Sequence, residues 1–211
     1  MRGRFITLEG LEGCGKSTQI PLLKNWIEAR GIAVTATREP GGTPLAERIR
    51  ELVLHASAER IPPECELLLM FAARAAHLAN RIRPELARGT WVLCDRFTDA
   101  TYAYQGAGRG IAEAHIRALE VLVHSDLKPD LTLLIDVPVA VGLERARARR
   151  GGAAHDRFET EEAKFFERVR ESFLRRARAE PGRIKIIDGN QAVESVAVSI
   201  QQHVGPLLSS D

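Results

Sequence analysis

Cysteine is scarce in this chain of 211 residues, and its pattern excludes two classes of protein. The three thiols, Cys14, Cys65 and Cys94, are odd in number and form no C-x-x-C pair. A disulfide framework and a cysteine zinc site both need paired spacings, so the sequence predicts a protein of a reducing compartment, the cytoplasm. Long apolar runs are absent too. The longest, Leu67 to Ala73, is far short of the ~20 residues of a membrane span. Met1-Arg2-Gly3-Arg4 leads straight into Phe5 without a leader-like apolar stretch, which predicts no signal peptide. Charge of one sign is lacking as well: 30 basic against 28 acidic residues leave +2. A general nucleic-acid binder would carry a strong basic excess, so neither nucleic acid nor membrane is an expected partner. None of the six histidines stands in H-E-x-x-H, and no histidine metal site is expected. No repeat and no break in composition divides the chain, so residues 1–211 are expected to form one domain.

What is present is ordinary globular material, 45% hydrophobic and 27% charged. Apolar β-rich runs alternate with helical patterns. Strands are expected at Phe5–Glu9, Ile32–Thr37, Trp91–Asp95, Leu131–Asp136 and Arg183–Asp188. Helices are expected at Thr18–Arg30, Leu45–Leu54, Glu64–Arg88, Ile111–Val123, between the fourth and fifth strands, and at Val193–Leu208. The strands are continuous apolar runs rather than alternating ones, the mark of a parallel sheet covered on both faces. The expected fold is therefore α/β: a doubly wound, five-stranded parallel sheet with helices on both faces. Ligands of such a sheet bind at the carboxyl ends of its strands. Glu9, Asp95 and Asp136 end three of those strands.

Gly10-Leu11-Glu12-Gly13-Cys14-Gly15-Lys16-Ser17-Thr18 follows the first strand and matches G-x-x-x-x-G-K-[ST] in full. The spacing has a chemical reason. Glycines let backbone N–H groups curl around phosphate oxygens, and the loop runs into a helix N-terminus with its positive dipole end. Lys16 would bridge the β- and γ-phosphates of a nucleoside triphosphate, and the Ser17 hydroxyl would ligate Mg²⁺. Cys14 fits as a small filler. The loop alone leaves a switch, a motor or a small-molecule kinase open. No N-K-x-D guanine-reading motif occurs, which weighs against a GTPase switch.

Two arginines narrow the choice. Arg38-Glu39-Pro40-Gly41-Gly42-Thr43 follows the second strand, and Asp95-Arg96-Phe97-Thr98-Asp99-Ala100-Thr101 follows the third, with Tyr104-Gln105-Gly106 just after. Guanidiniums at the ends of two successive strands, aimed at one crevice, would neutralise a second phosphate group. Together, L-E-G-x-x-G-K-S-T, T-R-E-P-G-G-T and D-R-F-T-D-A-T-Y-A-Y-Q-G resemble the bacterial thymidylate kinases, over residues 3 to 205 or so. The resemblance implies transfer of the ATP γ-phosphoryl to dTMP, giving dTDP and ADP on the way to dTTP, with Mg²⁺, in a homodimer. It implies that Gly10–Thr18 hold ATP, with Lys16 and Ser17 on its phosphates and Mg²⁺, and that Asp95 stands near Mg²⁺. It assigns Glu12 to the ribose 3′-hydroxyl of the acceptor, Arg38 and Arg96 to its phosphate, and Thr101 and Gln105 to the base pocket. Arg74 resembles the arginine that bonds the thymine carbonyl. The family commonly has Phe four residues before that arginine. Here Met70 stands there and Phe71 is three before, and both share a helix face, so Phe71 is expected to stack on thymine instead.

A second basic cluster runs from Glu144 to Glu159, with Arg145, Arg147, Arg149 and Arg150 before Gly151-Gly152-Ala153-Ala154 and Arg157 after. An arginine-bearing loop of this kind suits a closing lid, here about 145–158, which would exclude water and bring positive charge to the transferring phosphoryl. The phosphate loop itself holds no arginine, so the chain resembles the family's lid-arginine type. Arg149 aligns best with the lid arginine that reaches ATP.

Overall fold

The computed structural model describes residues 2–55, 61–124, 126–149 and 159–208. Five parallel strands form one sheet: β1 (Phe5–Glu9), β2 (Val34–Arg38), β3 (Trp91–Asp95), β4 (Leu131–Asp136) and β5 (Ile184–Asp188), in the order β2-β3-β1-β4-β5. β1 is wholly buried and β4 nearly so, whereas the edge strands β2 and β5 are buried at only one and two positions. The apolar character of the central strands follows from helices on both faces. Ile6 and Leu8 pack with Leu23 and Ile27 of α1 (Lys16–Glu28) and with Ile200 and Val204 of α9 (Val193–Leu208). Phe5, one residue out of phase, packs with Leu78, Ile82, Leu86 and Phe97 instead, as the two-residue period of a strand demands.

The register sets the site. Asp95 pairs with Leu8 on one side and with Arg38 on the other. The segments after β1, β2 and β3 therefore leave the sheet together, at the carboxyl ends of the strands.

Two helices depart from expectation for physical reasons. The helix expected over Glu64–Arg88 divides into α3 (Pro63–His77), a π-helical turn at Leu78–Ile82, and α4 (Arg83–Ala87). Pro84 has no N–H, and its ring would clash with the carbonyl four residues before, so the wider turn relieves the ladder there. After β3, α5 (Thr98–Thr101) runs into a π-helical segment, Tyr102–Gly108. Its glycines are poor helix formers, but tertiary contacts hold it. Arg168 of α8 (Glu159–Ala179) donates to the carbonyls of Ala107 and Gly108 at 3.2 and 3.0 Å, and a Cβ on Gly108 would meet Phe165 Cε2 at 2.5 Å. In α5, the buried Asp99 pairs with Arg176 and Arg183 at 2.7 Å each. The remaining helices are α2 (Pro44–His55), α6 (Glu113–His124) and α7 (Val139–Arg149).

Candidate active site

The phosphate loop leaves β1 and closes on α1. Gly10 has φ 134°, and a Cβ there would run into the Ile135 carbonyl, so only glycine fits. Gly15, with φ 106°, is the N-cap of α1 and provides no side-chain cap, which leaves first-turn amides available to an anion. Lys16 is buried, and its Nζ donates to the carbonyls of Gly10 and Leu11 at 3.1 and 3.0 Å. Ser17 and Thr18 are exposed at the mouth, and Glu12 is half-buried in the loop. Cys14 is buried in the core cluster of β1 and α1, the place of a small filler.

Arg96 carries the clearest sign of function in the backbone. Its φ is 70°, in the left-handed region where an arginine is strained. Three bonds hold that conformation. Arg96 N donates to Leu8 O at 2.9 Å, Phe97 N donates to Glu9 Oε1 at 2.8 Å, and Cys94 Sγ donates to Arg96 O at 3.0 Å. The guanidinium lies over the Tyr104 ring, 4.7 Å from its centroid, and donates to Gly10 O at 3.0 Å. Burial works against its charge, but Tyr104, Asp95 and Glu9 outweigh that and raise its pKa above the ordinary value. Glu9 is itself fully buried. Burial, with Asp99 next in importance, pushes its carboxyl up to about 8.

Arg38 is half-exposed and donates to Glu47 Oε2 at 3.0 Å. Sequence reasoning missed a third cation, Arg50 of α2. Its Nη1 donates to Pro40 O at 2.9 Å. Burial, then the neighbouring charges of Arg38 and Arg96, lower its pKa. Arg38 and Arg96 thus both bear on Arg50, and guanidiniums gathered at one crevice could hold an anion. The signal for Arg50 was its place one turn after Glu47 on the same helix face.

The buried polar cluster lies between α3 and α5. Arg74 is 1% exposed. Its Nε donates to Glu39 Oε2 at 2.7 Å and its Nη2 to Thr101 Oγ1 at 3.0 Å, while Nη1 is buried with no partner among the described residues. Burial alone would raise the Glu39 pKa, but Arg74 and His77 outweigh it and hold the carboxyl below its usual range. Gly42 closes the cluster from the β2 side with φ 83°, and a Cβ there would strike Thr37 Oγ1 and the His77 ring. Gln105, one turn after Thr101, donates from Nε2 to Glu66 Oε1 at 2.8 Å, and its Oε1 is buried with no partner among the described residues.

Phe71 lies beside Arg74 on α3. It is 2% exposed and sits in a core cluster with Leu67, Tyr102 and Ile116. Its ring faces the Arg74 guanidinium at 4.8 Å and stacks near His124 at 6.4 Å. Phe71 thus supports the Arg74 guanidinium from within the core. Met70 keeps more of its surface exposed.

On the other side of the loop, a cavity of about 440 Å³ is lined by Gly13, Ser17, Arg145, Arg149, Gly189 and Gln191, among others. Arg149 ends α7 beside the phosphate loop. Arg145 Nη1 donates to Gly189 O at 3.0 Å. The rest of the expected lid, 150–158 with Arg150 and Arg157, lies outside the described residues. Asp136 is held by Arg170 through two 2.7 Å bonds. Gly189 and Gln191 were not read from the sequence, although they follow a fifth strand ending in Asp188.

A sequence profile of the thymidylate kinase family matches residues 8–200. The chain belongs to the thymidylate kinase family. It is 57% identical over 209 residues to a thymidylate kinase of Chromohalobacter salexigens, covering 99% of this chain and 98% of that one. A thymidylate kinase of Pseudomonas syringae pv. tomato is 56% identical over 208 residues, again 99% of this chain and 98% of the relative. The crystal structure of thymidylate kinase from Ehrlichia chaffeensis superposes with a TM-score of 0.79 at 33% identity, covering 97% of this chain and all of that one. The five-stranded parallel sheet with its phosphate loop is thus the family's fold.

Proposed function

We infer that this member of the family transfers the γ-phosphoryl of ATP to dTMP, giving dTDP and ADP, and so feeds dTTP synthesis. One observation carries the choice of base. Among the described residues, Arg74 Nη1 is a buried donor without a partner, and Gln105 Oε1 a buried acceptor without one. Unsatisfied buried groups are costly, so each fits a partner on a ligand. Thymine presents an acceptor at O4 beside a donor at N3–H, which answers both. Cytosine presents the reverse, a donor at N4 beside an acceptor at N3.

The acceptor phosphate is assigned to Arg38, Arg50 and Arg96, and the ribose 3′-hydroxyl to Glu12. The phosphates of ATP are assigned to the amides of Gly10–Thr18, to Lys16 and to Arg149. The acceptor atom is already a phosphate oxygen, so no strong general base is needed. Catalysis is positioning and charge neutralisation of a loose transition state. The donors fit a magnesium ion carried in with ATP: the buried Asp95 Oδ1 has no partner among the described residues, and Ser17 is exposed at the loop mouth. Magnesium uses one or two protein oxygens and its substrate's phosphates. When bound, Mg²⁺ supplies charge neutralisation at the β- and γ-phosphate oxygens, and Ser17 and Asp95 are the residues that would hold it.

A closing lid over 145–158 belongs to the same reading. So does a homodimer, supported by exposed apolar side chains on three adjacent helices: Leu52 of α2, Leu68 of α3, and Val121 and Leu122 of α6. Three unpaired cysteines fit the cytoplasm.

ADP release followed with ATP and Mg²⁺ tests the reading. Release that requires dTMP, stops with EDTA and returns with added Mg²⁺ is expected. Firm ATP binding with release indifferent to dTMP would place the chain among nucleotide-binding switches instead.

A further inference from the structure

Glu66 of α3 stands outside every role assigned above, yet it decides which end of the Gln105 amide meets a ligand. Gln105 Nε2 donates to Glu66 Oε1 at 2.8 Å. An ionised carboxylate only accepts, so the amide NH₂ is committed to Glu66. The amide oxygen is therefore turned away, and it is buried without a partner among the described residues. The other carboxylate oxygen lies 3.4 Å from Arg109 Nη2, which holds the group from its far side. Gln105 is 5% exposed, so its amide has little room except to rotate in place. Such a half-turn exchanges oxygen for NH₂ with almost no change of shape. A free amide would accept from thymine N3–H in one state and donate to cytosine N3 in the other.

We propose that Glu66 is a positioning residue for base specificity: by binding the NH₂ of Gln105 it fixes the amide oxygen as an acceptor toward a ring N–H, and so favours thymine over cytosine. The inference rests on the reading that Gln105 lines the base pocket. Glu66 contacts no substrate atom in this account and acts only through Gln105.

Glu66→Gln removes the constraint, because the new amide can accept or donate, and with it the charge that faces Arg109. Steady-state kinetics with dTMP and with dCMP at fixed ATP, beside thermal melting, read the effect. Gln105→Met is measured in parallel. For E66Q the dTMP KM is expected to rise about fivefold, with kcat within about twofold and the melting temperature nearly unchanged, the effect of one neutral hydrogen bond. The ratio of kcat/KM for dTMP to that for dCMP is expected to fall about tenfold. Glu66→Asp, which keeps the charge but withdraws it by one methylene, is expected to shift the ratio the same way and serves if E66Q does not fold. An unchanged ratio in these variants, while Gln105→Met raises the dTMP KM, would overturn the role of Glu66 and leave the base pocket standing. An unchanged dTMP KM in Gln105→Met would overturn the base pocket itself. Equal losses with both acceptors in kcat, with a lowered melting temperature, would mark Glu66 as structural only and overturn the proposal.

Discussion

Lys16 Nζ and Arg96 Nη1 converge on one oxygen, the carbonyl of Gly10, at 3.1 and 3.0 Å. Two cations sharing one backbone acceptor are poised for stronger partners. Lys16 belongs to the loop assigned to ATP, and Arg96 to the crevice assigned to the acceptor phosphate. Gly10 therefore marks the junction where the two phosphates would meet.

Arg96→Ala is expected to lower kcat/KM for dTMP about a thousandfold, the scale of losing a charged donor to a developing charge. Arg96→Gly tests the strained backbone separately. It should be as inactive as Arg96→Ala but more stable by about 1 kcal/mol, because glycine adopts φ 70° freely. Turnover within about tenfold of the parent for either variant would remove Arg96 from the site.

The Arg74–Glu39 pair, 2.7 Å apart and almost wholly buried, should be costly to break. Glu39→Gln leaves the Arg74 cation underground without its counter-charge, and a loss of about 3–5 kcal/mol is expected in urea unfolding. The dTMP KM should rise with it, since Arg74 loses its anchor. A loss below about 1 kcal/mol would mean that the pair does not hold Arg74 in place.

Glu9 gives the chain a pH dependence with a definite sign. Its folded-state pKa of about 8 lies above the ordinary 4.5, first because it is buried and next because of Asp99. Between those values the folded chain keeps a proton that the unfolded chain has lost. Stability from this group therefore falls as pH rises through that window and is level above it. Glu9→Gln keeps the acceptor for Phe97 N and has no proton to lose. Its melting temperature relative to the parent should be higher at pH 8 than at pH 5, by more than about 3 °C, which is roughly 1 kcal/mol for a chain of this size. A difference that is flat with pH would contradict the buried, protonated state.

Leu122, 79% exposed on α6, tests the dimer. Light scattering after gel filtration should give twice the chain mass for the parent, and Leu122→Glu together with Leu68→Glu should give one chain mass at micromolar concentration. A parent that runs as a monomer would remove the homodimer from the account.

Much of the candidate site was legible because its signals are local. The phosphate loop, Arg38 and Arg96 each sit at the end of an apolar strand, and a strand end in a parallel sheet has a known direction. The π-helical segment was not legible, because its glycines argue against a helix and its support comes from Phe165 and Arg168, some sixty residues on. Glu66 and Gln105 are 39 residues apart, and no periodicity joins them. The surroundings of Phe71 were not legible for a related reason. Helical spacing places it on the face of Arg74, but only the packing of α3 against Tyr102 and Ile116 decides whether that face is open or enclosed.

The most direct measurement is the rate of ADP release with ATP, Mg²⁺ and each of dTMP, dUMP, dCMP, dGMP and AMP in turn. The account predicts the highest kcat/KM for dTMP. It places dUMP between, since dUMP offers the same O4 and N3–H without the methyl group. It places dCMP and AMP at least about a hundredfold lower, because their acceptor and donor are reversed and leave buried groups unpaired, and dGMP below dTMP because its second ring must enter a pocket sized for one. A preference for dCMP or AMP would contradict the pairing of Arg74 Nη1 and Gln105 Oε1 with thymine.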